Sequence, residues 1–280
     1  MVERAYAKIN LALEVFPCRA DGYHEVKNLM VPIDLYDKLY FEKTEKGIEV
    51  ISNVNIKDNF VTKAAELFFN TYNITQGVKI TLEKHIPISA GLAGGSSDAA
   101  ACLRGLNRLF KVNASLEKLA KLSEVLGSDM PYCVYSRPSL CYGRGEKVEV
   151  LKDLTFDPIP LTLIMFKFGL STKLIYQEYT YEQANHNDNF DNIITGLKTG
   201  NIALLNSNIF NDLAKPAYKI NNKLQQVKDN LSTINIQVHQ SGSGPTHYIL
   251  DKDIFNDIYS VCNNVKLYQT HILSNTYKKK

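Results

Sequence analysis

The sequence predicts an α+β protein built as two units side by side. Three observations carry that expectation. Segments of strand composition and segments of helical spacing alternate in both halves of the chain. A glycine-rich stretch sits between a strand-like and a helix-like segment at residues 91–95. The composition also shifts over residues 151–160, which contain Pro158 and Pro160, in a chain of 280 residues that exceeds the usual size of one domain. The units are placed at 1–155 and 156–280.

Residues 5–16 and 29–41 are rich in apolar and β-branched positions and read as strands, with a turn at Ala20-Asp21-Gly22. Asp58 precedes a helix whose inner face carries Val61, Ala64, Ala65, Phe68 and Tyr72. A strand at 78–82 leads into the glycine-rich segment. Beyond it, Ala99, Cys102, Leu103, Leu106, Leu109 and Phe110 have the spacing of a buried helix face, and a further helix at 116–126 ends at Gly127. Strands are expected over 132–150, interrupted by Gly143-Arg144-Gly145. In the second half, the apolar run 161–166 reads as a central strand. Helices follow at 173–181, 191–205 and 217–231, the last marked by Ile220, Leu224, Val227 and Leu231. Two strands, at 236–239 and 246–250, flank a glycine turn. A helix near 252–263 and a strand near 265–271 complete the chain. The polar stretch 185–192 reads as a loop, and no internal repeat is visible.

The 32 Lys and Arg against 29 Asp and Glu leave a net charge of +3, too near balance for a dedicated nucleic-acid binder but compatible with an anionic small-molecule substrate. Five cysteines, odd in number and without C-x-x-C spacing, argue against a disulfide framework or a zinc site. No apolar run approaches the roughly 18 residues of a membrane span, and residues 1–6 lack a secretory layout, so a soluble cytoplasmic protein is expected. Lys278-Lys279-Lys280 reads as a solvated tail.

The glycine-rich segment runs Pro87, Ile88, Ser89, Ala90, Gly91, Leu92, Ala93, Gly94, Gly95, Ser96, Ser97, Asp98. Glycines at such a junction let successive backbone N–H groups converge on an anion, and the helix N-terminus adds a favourable dipole. Ser96 and Ser97 can cap the helix or offer hydroxyls to a phosphate or a metal ion. By itself the stretch also fits a plain tight loop ahead of a capped helix. It is neither a Walker loop, since no Gly-Lys-Ser/Thr follows, nor a dinucleotide fingerprint, and the protein-kinase motifs are missing.

The segment P-I-S-A-G-L-A-G-G-S-S-D-A-A resembles the phosphate loop of the GHMP kinase superfamily. Ala7-Lys8-Ile9-Asn10-Leu11 looks like its N-terminal motif and Ser241-Gly242-Ser243-Gly244-Pro245-Thr246 like its C-terminal glycine loop. Within the superfamily, Arg19-Ala20-Asp21-Gly22-Tyr23-His24-Glu25, Gly127-Ser128-Asp129-Met130-Pro131 and Gly143-Arg144-Gly145-Glu146 resemble the family that phosphorylates cytidyl diphosphate-linked methylerythritol. That resemblance covers essentially the whole chain. It implies a ribosomal-protein-S5-like N-terminal domain, a ferredoxin-like C-terminal domain, ATP as co-substrate and Mg²⁺ held mainly by phosphate oxygens and water, with Ser97 as a contact and no dedicated carboxylate cage.

The resemblance also assigns roles. Asp129 matches the base that accepts the acceptor hydroxyl's proton, and Lys8 the cation beside it, which favours negative charge on the reacting oxygens. Taken alone, an Asp two residues before a Pro reads as a turn or cap, and a Lys in an apolar strand as a snorkelling edge residue. Asp98 reads as a helix N-terminal charge rather than a catalytic group. Asn10 matches a contact to the erythritol hydroxyls. Tyr23 offers a π-face and His24 an edge partner for cytosine. Thr172 matches a further substrate contact and Tyr176 the opposing stacker, with Phe168 competing for that wall. Gly242 and Ser243 are placed on the acceptor side, and Asn59 and Lys84 near the nucleoside of ATP. Ala93 stands where glycine is frequent, and fits a compact loop if its φ is negative. Gln240 and His247 also depart from the pattern. A small-alcohol kinase of homoserine or mevalonate type, and a silent nucleotide-binding regulator, are the alternatives. The cytosine features weigh against the first, and the presence of both Lys8 and Asp129 against the second.

Overall fold

Two long strands organise the molecule. β1 (Val2–Cys18) and β2 (His24–Thr44) form an antiparallel ladder, and nearly every residue of β1 from Ala5 to Val15 is buried. Burial on both faces accounts for the continuous apolar run there. Register shifts interrupt the ladder between Tyr6 and Lys8 and between Asn10 and Ala12. These irregularities flank the buried Lys8 and Asn10, where a local change of twist re-aims side chains.

The computed structural model describes residues 1–181, 189–251 and 254–276. Of the loop expected at 185–192, residues 185–188 lie outside them and residues 190–192 form the start of a helix instead; the lysine tail lies wholly outside. β2 also pairs with β4 (Gly77–Glu83) and β5 (Ser139–Tyr142), β4 with the parallel β3 (Ile48–Ser52), and β5 with β6 (Lys147–Val150). In the second half, β7 (Ile159–Phe166) lies antiparallel between β11 (Val265–Ile272) and β10 (His247–Ile249), which pairs with β9 (His239–Gln240). Ile272 of β11 pairs with Ile33 of β2, and β8 (Phe210–Asn211) joins β1 in parallel, so strands of both halves meet on the long hairpin.

The helices α1 (Phe60–Tyr72), α2 (Gly94–Leu109), α3 (Leu116–Ser123) and α4 (Met130–Tyr135) share one apolar core with β2 and β4. A second core joins the halves through Ile9, Leu11, Val31, Leu161, Phe190 and Tyr248.

Three expected elements take another form. Residues 132–135 belong to α4 rather than to a strand. Pro131 in the first turn is preorganised for a helix, and Tyr132, Cys133 and Val134 are buried in the core shared with α2. The expected helix 191–205 is two, α6 (Phe190–Thr199) and α7 (Ile202–Asn208), broken at Gly200 with φ +63°. The expected helix 217–231 is α8 (Ala214–Ile220) and α9 (Asn222–Ser232), separated by the extended Asn221, whose side chain caps the second helix at Lys223 N. α5 (Thr172–Glu178) and α10 (Phe255–Val261) complete the set. All five cysteines are free, with only Cys18 exposed. No described helix is long and apolar enough to cross a membrane.

Candidate active site

Lys8 and Asn10 lie two apart on β1 and therefore face the same way. Lys8 is 4% and Asn10 1% exposed. The Lys8 ammonium donates to Asn10 Oδ1 at 2.7 Å and to the Gly91 carbonyl at 3.4 Å, and lies 3.7 Å from Asp129 Oδ2. Asn10 in turn donates to Asn28 Oδ1 on β2 at 2.9 Å. Lys8 is thus held by strand and loop acceptors while its charge faces a carboxylate. Asp129 occupies the N-cap position of α4 but makes no side-chain cap hydrogen bond. The residue thus sits in the turn that opens α4, with its carboxylate facing Lys8 rather than capping its own helix.

These side chains open into a cavity of about 380 Å³. Its walls include Ser89 to Gly91, Ala93 to Ser96, Phe60, Arg144 and Gly145, and from the second half Leu170, Thr172, Tyr176 and Gly242 to Gly244. Thr172 Oγ1 and Ser243 Oγ are hydrogen-bonded at 2.9 Å. The two glycine loops are stitched together: Ser241 Oγ donates to Gly91 O at 3.0 Å and Thr246 N to Ala90 O at 3.2 Å. Gly91 has φ +79°, and a Cβ there would lie 2.5 Å from Ser241 O.

α2 begins at Gly94, one turn closer to the loop than Ser97, and its N-cap is Ala93 with φ +55°. The negative φ that was the condition for Ala93 to fit without strain is therefore not met. An L-residue in this region is strained by about 1–2 kcal/mol. Ala93→Gly is therefore expected to leave the fold intact and raise unfolding free energy by up to about 1 kcal/mol, measurable by urea denaturation. The earlier helix start also corrects the roles of the serines. Neither caps the helix. Ser96 lines the cavity, whereas Ser97 is 1% exposed and donates its hydroxyl to Tyr6 O at 2.5 Å, facing the sheet rather than a phosphate or metal ion. Pro87, Ile88 and Leu92 shape the loop without lining the cavity. Ile88 is exposed, and Leu92 is a core residue whose carbonyl accepts from Lys8 N.

Lys84, expected near the nucleoside, is engaged by two carboxylates and does not line the cavity. Its side chain is 5% exposed and its ammonium lies 2.5 Å from Asp37 Oδ2 and 2.8 Å from Asp98 Oδ2. A buried ammonium needs such partners, and two carboxylates consume it. Asn59 caps α1 through Val61 N and lines a separate open depression with Ser52, Asn53, Asn55 and Thr62.

On the other side, His24 opens β2. Its Nδ1 is 2.7 Å from Phe16 O, which can only accept, so Nδ1 carries the hydrogen and, in the neutral ring, Nε2 presents a lone pair. The ring packs 5.6 Å from that of Tyr176 and edge-on to that of Tyr179. Tyr23 is half exposed, outside the cavity wall, with the Arg144 guanidinium 5.0 Å from its ring centroid. Tyr176 lines the cavity, and burial pushes its hydroxyl pKa up; Phe168 faces a different depression, beside Phe166. Asn28, Phe60 and Arg144 line the cavity and escaped the sequence reading. Asn28 was legible as a polar residue between Val26 and Met30 on the same face of its strand. Asn211, which donates to both Gln240 O and Gly242 O, gave no local signal because it acts across 30 residues.

The comparisons with known proteins decide the family. The model of the GHMP kinases N terminal domain matches residues 59–137. A 4-diphosphocytidyl-2-C-methyl-D-erythritol kinase of Clostridium beijerinckii is 39% identical over 256 residues, covering 90% of this chain and 91% of its own length. The chain belongs to the 4-diphosphocytidyl-2-C-methyl-D-erythritol kinase family. A member from Macrococcus caseolyticus is also 39% identical, over 94% of this chain and 96% of its own. A crystal structure of a 4-(cytidine 5'-diphospho)-2C-methyl-D-erythritol kinase superposes with a TM-score of 0.83 at 29% identity, covering 97% and 99% of the two chains. A homoserine kinase from Cytophaga hutchinsonii, at 16% identity and a TM-score of 0.73, shares the fold. The α+β GHMP kinase fold expected from the sequence is therefore the fold of this kinase family member.

Proposed function

We propose that this chain transfers the γ-phosphoryl group of ATP to the 2-hydroxyl of 4-diphosphocytidyl-2-C-methyl-D-erythritol, giving the 2-phosphate and ADP in the methylerythritol phosphate route to isoprenoid precursors. The observation that carries it is the Lys8–Asp129 pair, 3.7 Å apart, facing the phosphate turn across one cavity in a member of this family.

The backbone of residues 91–96 and the N-terminus of α2 receive the ATP phosphates. Asn59 and the depression it lines lie toward the nucleoside. The acceptor hydroxyl sits at Asp129, which takes its proton as the new P–O bond forms and the bond to the ADP oxygen breaks. Lys8, fixed by Asn10 and Gly91, stabilises the charge gathering on the transferring oxygens. The cavity also fits Mg²⁺: the Ser96 hydroxyl is a hard oxygen donor on its wall, and phosphate oxygens and water would supply most of the shell. There the ion would neutralise phosphate charge. Among the described residues no group of three or more His, Cys, Asp or Glu is placed to hold a metal by itself.

Cytosine is placed between Tyr23 and Tyr176, with its 4-amino group donating to His24 Nε2. Thr172, Gly242 and Ser243 border the acceptor. On this account the substrate lies where units 1–155 and 156–280 meet. His24→Ala is expected to raise KM for the cytidyl substrate about tenfold or more while leaving KM for ATP within twofold, as loss of one hydrogen bond to a base edge requires. Steady-state kinetics with each substrate varied in turn checks this. The function itself is tested by ADP release from Mg-ATP with the cytidyl substrate, homoserine or mevalonate as acceptor. Turnover confined to the cytidyl substrate is expected; turnover with homoserine or mevalonate alone overturns the assignment.

A further inference from the structure

The second glycine loop lies directly against the Lys8 ammonium. A Cβ on Gly242 would meet Asn10 Oδ1 at 3.2 Å and Lys8 Nζ at 3.3 Å, and Gly242 has φ +54°. The loop backbone therefore covers the ammonium closely, in keeping with the burial of Lys8. A lysine stem is flexible, so a shift of this cover would admit water and let the charge swing away.

A side chain from another strand holds the cover in place. Asn211 on β8 donates through Nδ2 to Gly242 O at 2.8 Å and to Gln240 O at 3.0 Å, while its Oδ1 accepts from Leu213 N at 2.9 Å. Both amide hydrogens and the amide oxygen thus have partners, a set that a short side chain supplies only as Asn. Gln240 Nε2 adds a longer bond of 3.2 Å to the same Gly242 carbonyl. β8 is in turn fixed on the strand that carries Lys8. Asn211 pairs with Leu13 of β1, Asp212 N donates to Leu13 O at 3.0 Å, and Asp212 Oδ2 accepts from Val15 N at 2.9 Å. The ammonium and its cover are therefore both referenced to β1. Asn211 does not line the catalytic cavity; it borders a separate depression with Tyr218 and Gln240. Whatever it does for the reaction passes through Gly242.

We infer that Asn211 is a positioning residue for phosphoryl transfer, which through Gly242 keeps the Lys8 ammonium shielded from water and aimed at the reacting oxygens. This rests on the proposal that Lys8 stabilises the charge of the transferring group. That stabilisation is electrostatic and preorganised, so it weakens when water enters or the charge moves. The loss belongs to kcat. The turn that receives the ATP phosphates keeps its own bonds to the loop, Ser241 Oγ to Gly91 O and Thr246 N to Ala90 O, so KM for ATP is little affected.

The test is a double-mutant cycle on kcat with Mg-ATP and the cytidyl substrate. Asn211→Ala should lower kcat by about tenfold or more, with KM for ATP within about threefold and a folded circular dichroism spectrum. Lys8→Met, which keeps the stem and removes the charge, should lower kcat further. In the Lys8→Met background the same Asn211→Ala change should cost about twofold or less, because the group it positions is gone. Asn211→Ser retains one donor and should recover part of the loss seen in Asn211→Ala. Wild-type kcat in Asn211→Ala, or a loss by the same factor in both backgrounds, overturns the inference, since a purely structural role multiplies through. If Asn211→Ala does not fold, the cycle run with Asn211→Ser decides between the same two outcomes. Wild-type kcat in Lys8→Met would instead contradict the role of Lys8, and with it the reading on which the inference rests.

Discussion

Replacing Asp129 with Asn should lower kcat by about 10²-fold or more while KM for ATP changes little. The amide keeps the size and hydrogen-bonding reach of the side chain but can no longer take the proton of the acceptor hydroxyl. The expectation depends on where the structure points this carboxylate: toward Lys8 at 3.7 Å and into the cavity, with no bond to its own helix. A purely structural aspartate would instead reveal itself as lost stability with retained turnover. Rapid-quench kinetics separates chemistry from product release, and the loss should appear in the chemical step. An Asp129→Asn variant turning over at the wild-type rate would remove Asp129 from the mechanism.

Gly91→Ala should reduce kcat/KM on the order of 10²-fold, since displacement of about 1 Å at a catalytic loop has that effect. The residue has φ +79°, and a methyl group would sit 2.5 Å from Ser241 O and 2.9 Å from Gly244 O. Those are backbone atoms of the facing glycine loop, so the two loops must separate. Separation breaks the Ser241 Oγ bond to Gly91 O and loosens Lys8, which donates to the same carbonyl. The αL strain adds about 1–2 kcal/mol of destabilisation, too little to unfold a typical domain. Circular dichroism should therefore show a folded protein with a lowered Tm and poor turnover. Wild-type kinetics in this variant would mean that the loop contacts do not position the reacting groups.

The contrast between these two residues and Lys84 shows what the sequence carries. Lys8, Asp129 and the two glycine loops lie in short blocks whose order along the chain matches a family, and short blocks are local information. The structure brings all four to one cavity. The partners of Lys84 are not legible in sequence because they are Asp37, 47 residues away, and Asp98 one turn into α2. Ser97 is misread by phase: with the helix starting at Gly94, Ser97 turns to the sheet and Ser96 to the cavity. The φ of Ala93 was not legible because the helix entry imposes a left-handed conformation that its side chain does not favour. In the fold, the long strands and most helix positions follow from apolar periodicity. The breaks at Gly200 and Asn221 do not, since apolar spacing continues on both sides of each. The helix at 130–135 is concealed by aromatic and β-branched residues that suit a strand but are buried here in the helical core shared with α2.

The most direct test of the whole account is the fate of the γ-phosphoryl group. Purified protein incubated with γ-labelled ATP, Mg²⁺ and 4-diphosphocytidyl-2-C-methyl-D-erythritol should move the label to the substrate's 2-hydroxyl with stoichiometric ADP. Folded protein that leaves the substrate unlabelled, or releases the label only as inorganic phosphate, would contradict it.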